Sequence, residues 1–162
     1  MRRLEAAIGS AAFLLLAPGV VAGLVPWLLT GWDSAGPPFV LELLGGLLIA
    51  LGAGVLLHSF ARFVIEGSGT PAPVAPTERL VVGGLYRHVR NPMYVAVAAT
   101  IVGQAMLLGR PVLLAYAALF WAVVAAFVRL YEEPTLGARY GEQYDAYRRA
   151  VPAWIPRLRP WR

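Results

Sequence analysis

The sequence predicts an all-α integral membrane protein of about four transmembrane helices, and three observations carry that prediction. Hydrophobic residues make up 59% of the 162 and charged residues only 14%, with a mean hydropathy of +0.64, whereas a soluble domain carries about 25% charge. The charges punctuate four apolar stretches, each of about the length that a hydrocarbon core of about 30 Å requires. The third observation is the placement of the arginines, which gather on one side of those stretches. Disorder, collagen and a nucleic-acid-binding arm are excluded by the same figures, despite a net charge of +5. The absence of cysteine excludes disulfides, thiolate metal sites and a cysteine nucleophile, and two histidines alone make no metal site.

The first stretch, Ala6 to Leu29, carries no charge. Arg2 and Arg3 ahead of an apolar run also fit a signal peptide, but the run is long and lacks a clear small-x-small cleavage site, so a retained anchor is expected. Phe39 to Ile65 is the second span, with Glu42 near one end and His58, Arg62 and Glu66 near the other. Gly45, Gly46, Gly52 and Gly54 within it would let another helix approach closely. Pro92 to Gly109 and Pro111 to Val128 follow, separated only by a Gly109, Arg110, Pro111 turn, and predict an antiparallel helical hairpin. The helices are therefore expected at about 6–29, 39–65, 92–109 and 111–131, in a single membrane-embedded domain over 1–162.

Orientation follows from the arginines. Arg2 and Arg3, then Arg79, Arg87 and Arg90, then all those from Arg139 onward lie on one side, with Arg110 alone on the other. The positive-inside rule then predicts a multi-pass protein with both termini in the cytoplasm. Two regions fall on that face. The motif loop 66–91 contains Gly67, Gly69, Pro71, Pro73 and Pro76, which predict an extended Pro-rich strap. In the tail 132–162, Pro134 to Arg149 predicts one amphipathic helix with Leu136, Tyr140, Tyr144 and Tyr147 on a face. Pro152 ends it, and Trp154, Ile155 and Trp161 mixed with Arg157, Arg159 and Arg162 suit the headgroup level.

Chemistry is concentrated in two clusters. Tyr86, Arg87, His88, Arg90, Asn91, Pro92, Met93 and Tyr94 precede the third span, where guanidinium forks suit carboxylates and phosphates. The alternative is a lipid-headgroup anchor. Arg129, Glu132 and Glu133 stand where the fourth span ends. There, Arg129 and Glu133 are i,i+4 neighbours that can pair and leave Glu132 for a ligand. A merely structural ion pair is the rival, worth about 0–1 kcal/mol when exposed. The hairpin brings both clusters together, which favours a site. His58, Arg62 and Glu66 form an i, i+4, i+8 line that offers a third contribution to the same pocket, although snorkelling and mutual hydrogen bonding account for them adequately.

The sequence at these clusters resembles the isoprenylcysteine carboxyl methyltransferase and phospholipid methyltransferase superfamily, in its bacterial branch. The resemblance rests on Gly69, Thr70, Pro71, Ala72, Pro73, then Gly84, Tyr86, Arg87, Arg90, Asn91, Pro92, Met93, Tyr94, then Arg129, Glu132, Glu133, Leu136, Tyr140, Gly141, Tyr144, Tyr147, Ile155 and Pro156. Two positions depart from the eukaryotic carboxyl methyltransferase pattern, Asn91 for His and Ala96 for Gly, and both bear on the acceptor. The resemblance implies S-adenosylmethionine as cofactor, held by Tyr86, Arg87, Arg90, Asn91, Pro92, Tyr94, Glu132 and Tyr144, with the strap and the tail helix covering it. It further implies that Arg129 and Glu133 act catalytically by orienting a lipid-like acceptor, with no metal. An NADPH-dependent membrane reductase of the sterol reductase type and a non-catalytic four-helix membrane protein are the competing readings.

Overall fold

The computed structural model describes residues 3–67 and 79–162, and helices and their connections make up all of them, with no strand among the described residues. Helices α1 (Arg3–Leu16), α2 (Val25–Thr30), α3 (Phe39–Arg62), α4 (Pro92–Leu108) and α5 (Val112–Phe127) form the bundle; α6 (Glu133–Tyr140) and α7 (Glu142–Ala150) follow it. Three continuous segments, Ala11–Thr30, Phe39–Glu66 and Val112–Tyr140, are long and apolar enough to cross a membrane, and α4 is a shorter apolar helix of 17 residues. Their outer faces are bare hydrocarbon, with Leu15 and Phe39 each 73% exposed. Such a belt is untenable in water but neutral against lipid tails. Gly67, expected to begin the extended Pro-rich strap, instead ends the π-turn Phe63–Gly67 that prolongs α3, and the rest of the strap, through Pro76, lies outside the described residues.

A bilayer offers backbone groups no water, so every interruption of a helix needs an internal partner. The first span shows how this is met. Residues Val20–Leu24 form a wide π-turn in which Val25 N–H donates to Val20 O, and Pro26 brings no N–H at all. The carbonyls of Val21 and Ala22 thereby lose their usual donors. Tyr116 on α5 donates its hydroxyl to Val21 O at 2.7 Å, and Gln104 on α4 donates Nε2 to Ala22 O at 2.6 Å. The Trp32 indole in turn donates to Gln104 Oε1 at 3.1 Å. The first helix is thus fastened to the hairpin by side chains that fill its own backbone vacancies.

Helices α3 and α4 run antiparallel at backbone contact. A Cβ placed on Gly45 would lie 2.5 Å from Gly103 O, and one on Gly52 would lie 2.8 Å from Ala96 O. The spacing of seven between Gly45 and Gly52 keeps both on one helical face. Gly46 and Gly54, also expected at a close approach, have no such neighbour. Val97, Ile101, Ala105, Leu113 and Ala117 form the core between α4 and α5, which are joined at Gly109, whose φ of +63° suits glycine.

The far end of the bundle departs from expectation in two ways. The fourth span does not stop near residue 131; it passes through a π-turn at Val128–Glu132 and continues as α6 to Tyr140. The single helix expected over Pro134–Arg149 is broken at Gly141, whose φ of +54° and ψ of −132° cannot continue a helix. Its apolar face survives the break, because Tyr144, Tyr147 and Val151 still pack with Leu136 and Tyr140. Replacing Gly45 or Gly103 with Leu should destabilise the fold by about 1–3 kcal/mol through overpacking, while Gly54→Leu should be nearly neutral; thermal unfolding in detergent measures the difference.

Candidate active site

The loop that enters α4 is set by the end of α3. Arg62 pairs with Glu66, whose Oε2 accepts the Gly83 N–H at 2.9 Å. A Cβ on Gly84, at φ +57°, would meet His58 Nε2 at 2.5 Å. The line His58, Arg62, Glu66 therefore cradles the start of the loop. A short 3-10 turn, Gly84–Arg87, then buries Tyr86 edge-on against Phe63, and Pro92 opens α4 from the first helical position.

Arg90 is the centre of the assembly. Its Nη1 donates to Glu133 Oε1 at 2.7 Å and to the Tyr144 hydroxyl at 3.2 Å, and its Nε donates to Val151 O at 2.9 Å. The Arg90 and Glu133 side chains are each only 11% exposed. Arg148 completes the arrangement, with Nη2 at 3.0 Å from Glu133 Oε2. One carboxylate is thus shared between two guanidiniums from different segments, a strong charge-assisted geometry. Nearby, Tyr94 donates its hydroxyl to Glu132 Oε2 at 3.1 Å.

This pairing differs from the i,i+4 pair expected of Arg129 and Glu133, and the π-turn supplies the reason. Glu133 N–H donates to Val128 O, five residues back, so the helix face is advanced by one residue there. Both adjacent carboxylates are turned toward α4 and the loop, Glu132 to Tyr94 and Glu133 to Arg90. Arg129 is left without an ion-pair partner among the described residues. Arg129 and Glu133 nevertheless share one cleft of about 370 Å³, with Tyr144, Asp145 and Arg148 on its walls.

The segment after α7 closes over the loop through its backbone. Arg90 N–H donates to Pro152 O and Asn91 N–H to Ala153 O, and Asn91 Nδ2 also donates to Ala153 O at 3.1 Å. Arg87 Nε reaches Trp161 O at 2.5 Å. His88 Nδ1 lies 2.8 Å from Arg157 O. The Tyr147 hydroxyl donates to Tyr86 O at 2.7 Å. Burial raises the pKa of Tyr86, Tyr144 and Tyr147 above the ordinary phenol value, so all three remain protonated at neutral pH.

The expected site residues fall into neighbouring sets in this region: Arg90 meets Glu133 and Tyr144, Tyr94 meets Glu132, Arg129 shares the cleft with Glu133, and Arg87 and Asn91 are tied to the closing segment. Arg148 and the carbonyl of Val151 were not anticipated. Arg148 stands four residues after Tyr144 and so shares its helical face, which is a readable signal; a backbone carbonyl leaves none. Glu133→Ala would strand Arg90 in a largely buried position at a cost of about 3 kcal/mol. Limited proteolysis should then cut 142–162 readily while the spans remain resistant.

The profile of the phospholipid methyltransferase family matches residues 40–143. The chain is also 36% identical over 78 residues to the protein-S-isoprenylcysteine O-methyltransferase of Schizosaccharomyces pombe, an alignment covering 48% of this chain and 33% of that relative. The profile match contains the loop with Arg90 and Tyr94 and the carboxylates Glu132 and Glu133, whereas Tyr144, Arg148 and Val151, which meet them, lie just beyond it. With the profile covering more than half its length, the chain belongs to the phospholipid methyltransferase family.

Proposed function

We propose that the protein is an S-adenosylmethionine-dependent methyltransferase of the membrane, acting on a lipid-like or isoprenoid-type acceptor by carboxylate O-methylation or amine N-methylation. The observation that carries this reading is the meeting of Arg90, Tyr94, Glu132, Glu133 and Tyr144 where a spanning helix leaves the bundle. The arginine distribution supports a cytoplasmic position for this site and for both termini. Carboxylate and amine acceptors both suit a site at a lipid boundary, the former needing no base.

The residues present fit such a cofactor. A cleft of about 370 Å³ lies within the range of about 300–1,000 Å³ usual for small-molecule sites. On its wall Arg148 offers a guanidinium to a carboxylate and Tyr144 an aromatic face, while the Tyr94–Glu132 pair, which stands beside the cleft rather than in its lining, would add a second ring and an acceptor for hydroxyls. S-adenosylmethionine, when bound, supplies a methyl group on a sulfonium. The chain's task is then to align acceptor and methyl in line and keep water out. Arg129 and Glu133 on the cleft wall orient the acceptor's reacting group.

The two carboxylates divide the work. Glu133 has both oxygens engaged by guanidiniums, which fixes its place on the cleft wall. Glu132 has one phenol donor and an oxygen to spare. Where the acceptor is an amine, Glu132 takes the proton it must lose.

Calorimetric titration of the detergent-purified protein should give saturable binding of S-adenosylhomocysteine and none of NADPH; the reverse result would establish the reductase reading instead. Glu132→Gln should weaken S-adenosylhomocysteine binding by about tenfold, the loss of roughly one charge-assisted hydrogen bond. Truncation ahead of Glu142 should abolish binding with membrane insertion intact, and retained binding would refute a covering role for α7.

A further inference from the structure

The segment 151–162, VPAWIPRLRPWR, carries three arginines and no acidic residue. Two of its apolar side chains are turned away from the protein, Ile155 at 78% and Leu158 at 98% exposed. Its place is fixed by Trp154, whose ring packs on Trp121 at 4.7 Å between centroids. Trp121 belongs to the spanning segment Val112–Tyr140 and stands about three turns before Glu132, so the segment is held against the flank of a membrane-crossing helix. Arg159 and Arg162 are exposed and have no protein partner among the described residues. An exposed apolar pair flanked by unpaired arginines beside a bilayer is the chemistry of an interfacial anchor.

The inner edge of the same segment is bonded to the site loop. Trp161 N–H donates to Arg87 O and Arg157 N–H donates to His88 O, each reciprocated by the Arg87 and His88 side chains on the carbonyls of Trp161 and Arg157. Whatever fixes 155–162 from outside therefore fixes the backbone that leads into Arg90.

We propose that residues 154–162 dock on anionic lipid headgroups, with Ile155 and Leu158 entering the apolar boundary and Arg159 and Arg162 holding lipid phosphates, and that this docking sets the loop bearing Arg87 and Arg90. Arg159 and Arg162 are then positioning residues that act through Arg87 and His88. The partner is the bilayer rather than an acidic protein, because the Trp154–Trp121 contact keeps the segment beside a spanning helix. The docking stands on exposure, charge and placement; its effect on ligand affinity rests on the proposed function.

The chain has no cysteine, so a nitroxide on Leu158→Cys reports on one site. In nanodiscs of phosphatidylcholine with phosphatidylglycerol, the label should collide with oxygen more than with a water-soluble nickel chelate, and more shallowly without phosphatidylglycerol. The double variant Arg159→Gln, Arg162→Gln should lose that dependence on lipid charge. Wild-type affinity for S-adenosylhomocysteine should be about tenfold higher with phosphatidylglycerol, as two arginines near an anionic surface allow, and the double variant should show equal affinity in both bilayers. A label in water in both bilayers, or a double variant that still responds to phosphatidylglycerol, would overturn the docking. Affinity that ignores lipid charge while the label responds would overturn the coupling to Arg90. A label that responds in a protein binding no S-adenosylhomocysteine in either bilayer would uphold the docking and reject the methyltransferase reading.

Discussion

Glu133 stands where three stretches of chain meet, and its two oxygens are divided between Arg90 of the loop and Arg148 of α7. A carboxylate this deeply enclosed is tolerable only because both oxygens are engaged, since a buried charge deprived of its partner is strongly destabilising. The geometry depends on the π-turn at Val128–Glu132, which advances the helix by a residue and turns Glu132 and Glu133 inward. Pro134, which has no N–H to donate, follows directly, so the wide turn and the proline share one interruption of the helix. The site's electrostatics are in this sense a property of one backbone irregularity. Loop, fourth span and closing segment hold together through it.

Much of this was legible in the sequence, for definite physical reasons. Apolar length and arginine placement report directly on the bilayer, and a Gly109, Arg110, Pro111 turn forces the ends of two helices together. From these alone the loop before Pro92 and the carboxylates after Arg129 had to be neighbours. What stayed hidden depends on backbone rather than side-chain pattern. A π-turn has no side-chain signature here, so the pairing of Glu133 with Arg129 that ordinary periodicity suggests gives way to Arg90 and Arg148. Gly141 was visible as a residue, but its positive φ was not, and the tail helix divides there. Carbonyls that accept from Arg87, Arg90 and Asn91 carry no residue identity at all.

The first helix follows the same logic at the opposite end. Its π-turn and Pro26 open the carbonyls of Val21 and Ala22, and Tyr116 and Gln104 close them. Polar side chains within an apolar bundle thus fill vacancies in a neighbour's backbone, and so fix the register of one helix on another. The arrangement is stiff where hydrogen bonds are internal. It is more dependent on its surroundings along 151–162, where apolar side chains face outward.

The glycine seam between α3 and α4 also governs traffic. With Gly45 and Gly52 in contact with the backbone of the facing helix, that flank is sealed, and a hydrocarbon chain could enter there only by prying the two backbones apart. Under the proposed function, an acceptor approaching Tyr94 and Glu132 from within the bilayer must come by a flank other than this seam. The bundle is in effect closed along this one edge by its own backbone.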